Sequence, residues 1–307
     1  MSEAFTTPSE LSSVQRRQAL WITVVAIAVF LAFRWMPTGT NLAHGDFRLE
    51  GDNVLEFCDP AAPQFLPVTT ARSPVTFAVT PLSARQGEQI DFTFTLATST
   101  GKPIAPVDLL VVHTRKLHLM VVDPSLTDYQ HVHPTPSEVP GEWNVSFAPR
   151  LAGQYRVFAD FTPTATARGL YASVDIDVPG EPATFDHRPK LTDAVGEYRF
   201  ELAFEDQQIR SREPTDLTLS IRQENGNAVK LGQVMGAFAH LVAFDEGRTG
   251  FAHLHPRETD LENPPDAHAP DLHFKITIPE SGRYVIWGQI VLDGSETFVP
   301  FWFEVEP

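Results

Sequence analysis

The 307-residue chain has a single cysteine, Cys58. That excludes an intramolecular disulfide and any metal site built from several thiolates. Basic residues are scarce: 23 Lys and Arg stand against 39 Asp and Glu, a formal charge of -16. Binding to a phosphate backbone needs Lys or Arg to displace counterions, so nucleic acid is not an expected partner. The same imbalance attracts cations. Glycine is sparse at 18 residues beside 26 prolines and 22 phenylalanines, which favours short strands joined by stiff connections. No amphipathic helical period is visible after residue 36. There is no Gly-x-Ser-x-Gly elbow, phosphate loop, dinucleotide fingerprint or catalytic Cys/His pair. The chain is therefore expected not to be an enzyme. What remains is 42% hydrophobic and 20% charged, an ordinary globular composition. Its length suits about two domains of ~150 residues.

One long apolar run is present. Ala19 to Phe33 reads ALWITVVAIAVFLAF without a charge, between Arg16–Arg17 and Arg34. As a helix it covers roughly 24 Å between the flanking arginines, slightly short of a ~30 Å hydrocarbon core. Snorkelling arginines and the interfacial Trp21 and Trp35 make up the difference. The run lacks the polar stripe of a core helix. The following MPTGTNLAHG offers a poor cleavage site, so an uncleaved anchor is favoured over a removed signal. Two arginines before the span and one after it place the N-terminus in the cytoplasm. The bulk of the chain is then expected outside it, periplasmic and held at the cell membrane by a single pass.

The organisation expected is residues 1–18 cytoplasmic, 19–36 anchor, 37–72 a proline-containing tether, and two β-domains at 73–180 and 181–307. The first strand series is Ser73–Thr80, Ile90–Ala97, Val107–Val112, Leu117–Val122, Trp143–Phe147, Gln154–Phe161 and Ala172–Val178. The second is Tyr198–Phe204, Leu217–Gln223, His240–Phe244, Leu272–Ile278, Arg283–Leu292 and Phe298–Val305. The two series repeat one pattern. HLMVVDPSLTDYQHVHP at 118–134 matches HLVAFDEGRTGFAHLHP at 240–256, and FAPRLAGQY at 147–155 matches ITIPESGRY at 276–284. Strand number and turn spacing predict an all-β chain of two tandem immunoglobulin-like sandwiches after one transmembrane helix.

Six of the 11 histidines fall in one repeated arrangement, His-x12-His-x-His-Pro. It comprises His118, His131 and His133 in the first copy, and His240, His253 and His255 in the second. Residues i and i+2 of a strand point to one face, so each His-x-His pair projects two imidazoles side by side. The turn-forming DPSLTD and DEGRTG segments let the preceding strand fold back with a third. Three neutral imidazoles form a usual ligand set for Zn, Cu, Fe or Ni. His113 and Met235 occupy one aligned slot, five residues before each cluster, as candidate fourth ligands. Imidazole with thioether suits copper, with zinc as the second choice. For Met235, core packing is the competing reading. For the triplets it is a hydrogen-bonded histidine cluster without a metal. His268 and His273 lie in an inserted stretch and either close the second site or stay exposed. His44 and His187 read as surface residues. Cys58 reads as a soft ligand, a redox contact or a small buried hydrophobe.

The stretch HTRKLHLMVVDPSLTDYQHVHP resembles the YtkA-like family of small extracytoplasmic β-sandwich domains, often linked with copper handling. MGAFAHLVAFDEGRTGFAHLHP looks like a second member of that group. With their strand flanks the matches cover residues 73–178 and 195–306. The resemblance implies an exported or anchored domain, with the six repeated histidines as candidate copper ligands.

Three functions compete at this point. The first is a membrane-anchored copper-binding protein that captures, buffers or delivers the ion, with a membrane oxidase as a candidate recipient. The second is a non-haem metalloenzyme, because His131-x-His133 followed by Glu138 resembles a cupin element. The glycines of that element are absent, and Glu258 follows His255 at a different spacing. The third is an immunoglobulin-like structural or interaction module.

Overall fold

The structure is a computed structural model that describes residues 12–35, 42–48, 64–80, 83–185, 187–206 and 208–307. Cys58 and most of 37–63 lie outside these residues. The chain divides into two compact units, Met1–Asn41 and Leu42–Pro307.

Among the described residues, the first unit carries one helix, α1 (Ser13–Trp35). It starts earlier than its apolar run because Ser12 and Gln15 form a reciprocal cap. The Gln15 amide donates to Ser12 Oγ, and the Ser12 amide donates to Gln15 Oε1. Leu20, Trp21, Ile22 and Phe30 are all exposed. Residues Ser13–Ala32 are long and apolar enough to cross a membrane.

The second unit holds two antiparallel β-sandwiches. The first has strands β1 (Val75–Val79), β2 (Ile90–Thr98), β3 (Leu117–Val122), β4 (Tyr129–Val132), β5 (Thr135–Pro136), β6 (Glu142–Phe147), β7 (Gly153–Phe161) and β8 (Leu170–Val178). Its sheets have the orders β1-β2-β6-β5 and β4-β3-β7-β8. The second sandwich has β9 (Thr192–Val195), β10 (Tyr198–Phe204), β11 (Pro214–Gln223), β12 (Ala239–Asp245), β13 (Phe251–Leu254), β14 (Asp271–Thr277), β15 (Gly282–Leu292) and β16 (Ser295–Val305). Its sheets are β14-β11-β10-β9 and β13-β12-β15-β16. The sheets that carry the histidines thus have the same strand order in both copies.

Each sandwich has its own core. Phe94, Trp143 and Tyr155 fill the first, and Phe200, Phe274 and Phe301 the second. A third core joins them: Met120, Val122, Tyr129 and Phe158 pack with Val242, Phe244, Val285 and Trp287. The β3 and β12 sheets therefore pack face to face. This explains why every residue of LHLMVV in β3 is buried. Leu117, Leu119 and Val121 point into their own sandwich, while His118, Met120 and Val122 take the opposite face. Burying each such large apolar side chain contributes about 1.5–3 kcal/mol, so this boundary is a core and not a loose hinge. Trp287 Nε1 also donates across it to the Leu126 carbonyl at 3.1 Å.

Two expectations differ from the structure. Val107–Val112 is not a strand: Pro106–Asp108 forms a short 3-10 turn, with Asp108 accepting the Ala105 amide at 2.9 Å. The described parts of 37–72 are not a free tether either. Leu42 and Phe47 enter the first core. Leu66 exchanges hydrogen bonds with Phe251 of the second sandwich, at 2.8 and 3.1 Å. Gly250 makes room for this strap, since a Cβ there would sit 1.7 Å from the Leu66 carbonyl oxygen.

Candidate metal centre

The interdomain face of the paired sheets ends in a cluster of seven histidines. Antiparallel pairing sets Met120 opposite His131 and Val242 opposite His253. Each His-x-His therefore folds back beside the histidine of the preceding strand. In the first copy, His118 Nδ1 lies 3.2 Å from both His131 Nε2 and His133 Nε2. In the second, His240 Nδ1 lies 3.0 Å from His253 Nε2. In each copy the three ligand atoms lie within 4.8 Å of one another.

The outer nitrogens decide what these contacts are. The Val112 carbonyl can only accept, so His118 Nε2–H donates to it at 3.1 Å. Its Nδ1 is then a bare lone pair. Gln289 Nε2 donates to Glu296 Oε2 at 3.1 Å, which turns its Oε1 toward His131 Nδ1 at 2.9 Å. His131 Nδ1–H donates there, and His131 Nε2 is also a lone pair. Two proton-free nitrogens thus face each other at 3.2 Å. The second copy repeats the device. His240 Nε2–H donates to the Val234 carbonyl at 3.1 Å, and His253 Nδ1 faces Asp160 Oδ2 at 3.3 Å. His255 Nε2 is buried and has no hydrogen-bond partner among the described residues.

A proton is a poor guest here. Burial, mainly, holds all seven histidines below their ordinary value, and for all but His113 the neighbouring imidazoles add to it. His118 and His133 are pushed down to about 4, and His255 to about 3. A metal ion suits the same space. Three nitrogens bound tetrahedrally at ~2.0 Å lie about 3.3 Å apart, close to the 3.0–3.2 Å from His118 to His131, His118 to His133 and His240 to His253. Such a set leaves a fourth position open.

The two triads face each other across the domain boundary. The His131 and His253 ring centroids are 5.5 Å apart, hardly more than the 5.3 Å between His118 and His131. His113 and Thr114 form a two-residue turn with φ of 47° and 68°, and Met235 and Gly236 form its counterpart with 48° and 77°. The turns adjoin: a Cβ on Gly236 would sit 3.8 Å from Thr114 Cγ2. His113 stands nearer the other copy's triad than its own. It stacks on His255 at 3.7 Å but is 6.4 Å from His118. Met235 is half-buried in the equivalent slot.

Other sequence candidates lie elsewhere. His273 is exposed and bound to Glu258 at 2.8 Å, so that carboxylate is engaged away from the triads. His268 and Glu138 are exposed. His187 is not a free surface residue: it stacks on Trp302 at 4.4 Å and meets the Ser125 carbonyl at 3.0 Å. Sequence reasoning missed Asp160 and Gln289. They pair in register with His118 and His240, and each contacts the inner histidine of the opposite copy. Both lie five residues after the Tyr of the repeated Gly-x-Tyr, a signal already present in the sequence. Burial pushes the Asp160 carboxyl up to about 7.

Two clefts reach the cluster. One of about 460 Å³ is lined by His113, His118, Asp160, His253 and His255. One of about 800 Å³ is lined by His131, His133 and Glu296.

The family model for a domain of unknown function, DUF8832, matches residues 70–178 and again 193–307. No curated protein matches the chain. Among solved structures it is similar to the Escherichia coli adhesin FdeC, at 12% identity over 76% of this chain and 64% of that one, TM-score 0.22. A membrane-anchored protein of Corynebacterium diphtheriae is similar at 10% identity, over 77% and 59%, TM-score 0.25. The fibronectin(III)-like modules of Clostridium thermocellum CbhA are similar at 9% identity, over 75% and 94%, TM-score 0.19. The chain spans less than two thirds of the length of the first two.

Proposed function

This chain belongs to the DUF8832 family, carrying the domain twice, and we propose that the two copies together form a membrane-anchored metal-binding protein with copper as its cargo. The observation that carries the reading is the meeting of His118 Nδ1 and His131 Nε2 at 3.2 Å, both stripped of protons by the partners of their other nitrogens. A cation seated between the two lone pairs would relieve that contact. Imidazole-only donors accept Cu(II) and Zn(II), and the likeness of both motif stretches to YtkA-like domains favours copper.

Three ligands and an open fourth position suit capture and release. An incoming donor takes the free position before a histidine leaves, so ligand exchange is the whole of the chemistry. The two clefts supply approach routes, and the acidic surface concentrates cations. In this reading α1 crosses the membrane once, with the β-domains on the extracytoplasmic side, and a membrane oxidase is a candidate recipient.

The test is metal analysis of the detergent-solubilised full chain, loaded with copper and zinc in competition. Stoichiometric copper supports the proposal. A chain that takes up neither metal is an immunoglobulin-like interaction module instead, with the histidines serving as a structural cluster.

A further inference from the structure

The two triads are near copies in their ligands but not in what stands behind them. Asp160 and Gln289 occupy equivalent places: each pairs with the first histidine of its own triad and reaches across to the inner histidine of the other. His253 is therefore backed by a carboxyl group, and His131 by a neutral amide. The negative charge on the His131 side belongs to Glu296 and is one amide further out, through Gln289 Nε2.

A carboxylate behind a ligating imidazole fixes its tautomer and makes its free nitrogen a stronger donor; an amide fixes the tautomer alone. The carboxylate also places a full negative charge close to the ion in a poorly solvated setting, where charge counts for more than in water. Resting on the metal-binding reading above, we propose that the triads are unequal ion sites, with His240, His253 and His255 binding a divalent cation more tightly than His118, His131 and His133 because Asp160, and not an amide, backs the inner histidine. Asp160 and Gln289 are positioning residues that rank the two sites. A tight site beside a weaker one gives the pair a filling order: the first ion is held, and the second is the exchangeable one.

The experiment isolates each site in the full chain. His133→Gln leaves only the second triad intact, and His255→Gln only the first. Cu(II) and Zn(II) affinities are read by competition with a chromophoric chelator at one fixed, mildly alkaline pH. The second triad is expected to bind tighter. Asp160→Asn in the His133→Gln background is expected to weaken binding about 10–100-fold, while in the His255→Gln background it changes binding less than about twofold. Gln289→Glu in the His255→Gln background is expected to strengthen the first triad about tenfold. These opposite effects separate ranking from mere structural support, which would weaken both sites. Equal affinities, or an Asp160→Asn loss shared by both triads, overturn the proposal. Absence of any ion in both single-site proteins overturns the metal reading itself, a distinct result. Unchanged melting of the metal-free variants checks that each has folded.

Discussion

His131 and Gln289 belong to different domains, yet Nδ1 of the first lies 2.9 Å from Oε1 of the second. The contact crosses the plane in which the two β-sheets meet, and it fixes which nitrogen of His131 is free. Replacing Gln289 by Leu removes the acceptor and leaves the His131 tautomer unset. Metal affinity of the first triad is expected to fall about 10–100-fold, with the second nearly unchanged. Chelator competition on the His255→Gln and His133→Gln backgrounds separates the two.

The interdomain core should be as sensitive as either domain's own core. Phe244 is fully buried and packs on Tyr129 and Phe158 of the other domain, with ring centroids at 5.5 and 5.9 Å. Phe244→Ala is expected to cost about 3–5 kcal/mol. Denaturant unfolding of the full chain measures it. A loss below about 1 kcal/mol would mean the domains merely touch.

Stability of the metal-free protein should depend on pH through the histidines. Folding depresses their proton affinity, whereas in the unfolded chain they titrate near 6.5. Below about 6.5 the unfolded chain binds more protons, so stability is whole above that pH and is lost as the pH falls toward 4. Each histidine contributes a slope of up to about 1.4 kcal/mol per pH unit. Asp160 works the other way between 3.8 and about 7, one group against several. Thermal melting should therefore drop from neutral pH to about pH 5, and saturating copper should raise the melting point at neutral pH. Melting that is flat across this interval would contradict the buried, neutral state of the cluster.

The strap through Leu66 depends on Gly250, which leaves no room for a side chain against the Leu66 carbonyl. Gly250→Val should displace residues 64–70 and expose the chain there to protease. Limited proteolysis of variant and parent compares them directly.

Much of this is legible in the sequence, for physical reasons. Period-two alternation in IDFTFTLA reports a strand with one buried face, and β2 shows that burial pattern. The repeated His-x-His is readable because strand geometry puts i and i+2 together. The meeting of the triads is not legible in the spacing. It depends on the outer faces of β3 and β12 packing on each other, and the hint was the lack of alternation in LHLMVV and HLVAF, which are apolar on both faces. Sequence spacing places His113 with its own copy, because spacing cannot show that a turn leans across a domain boundary. The apolar side chains of Val107–Val112 read as a strand, but Pro106 and the Asp108 cap form a turn instead.

The most direct test of the account is the number of ions held by the full chain after loading with copper and zinc in competition. Two ions per chain are predicted, one for each triad. Replacing His131 and His133 together by Gln should reduce this to one while the β-sheet circular dichroism stays unchanged. A parent chain that holds no ion, or a double variant that holds as many as the parent, would contradict it.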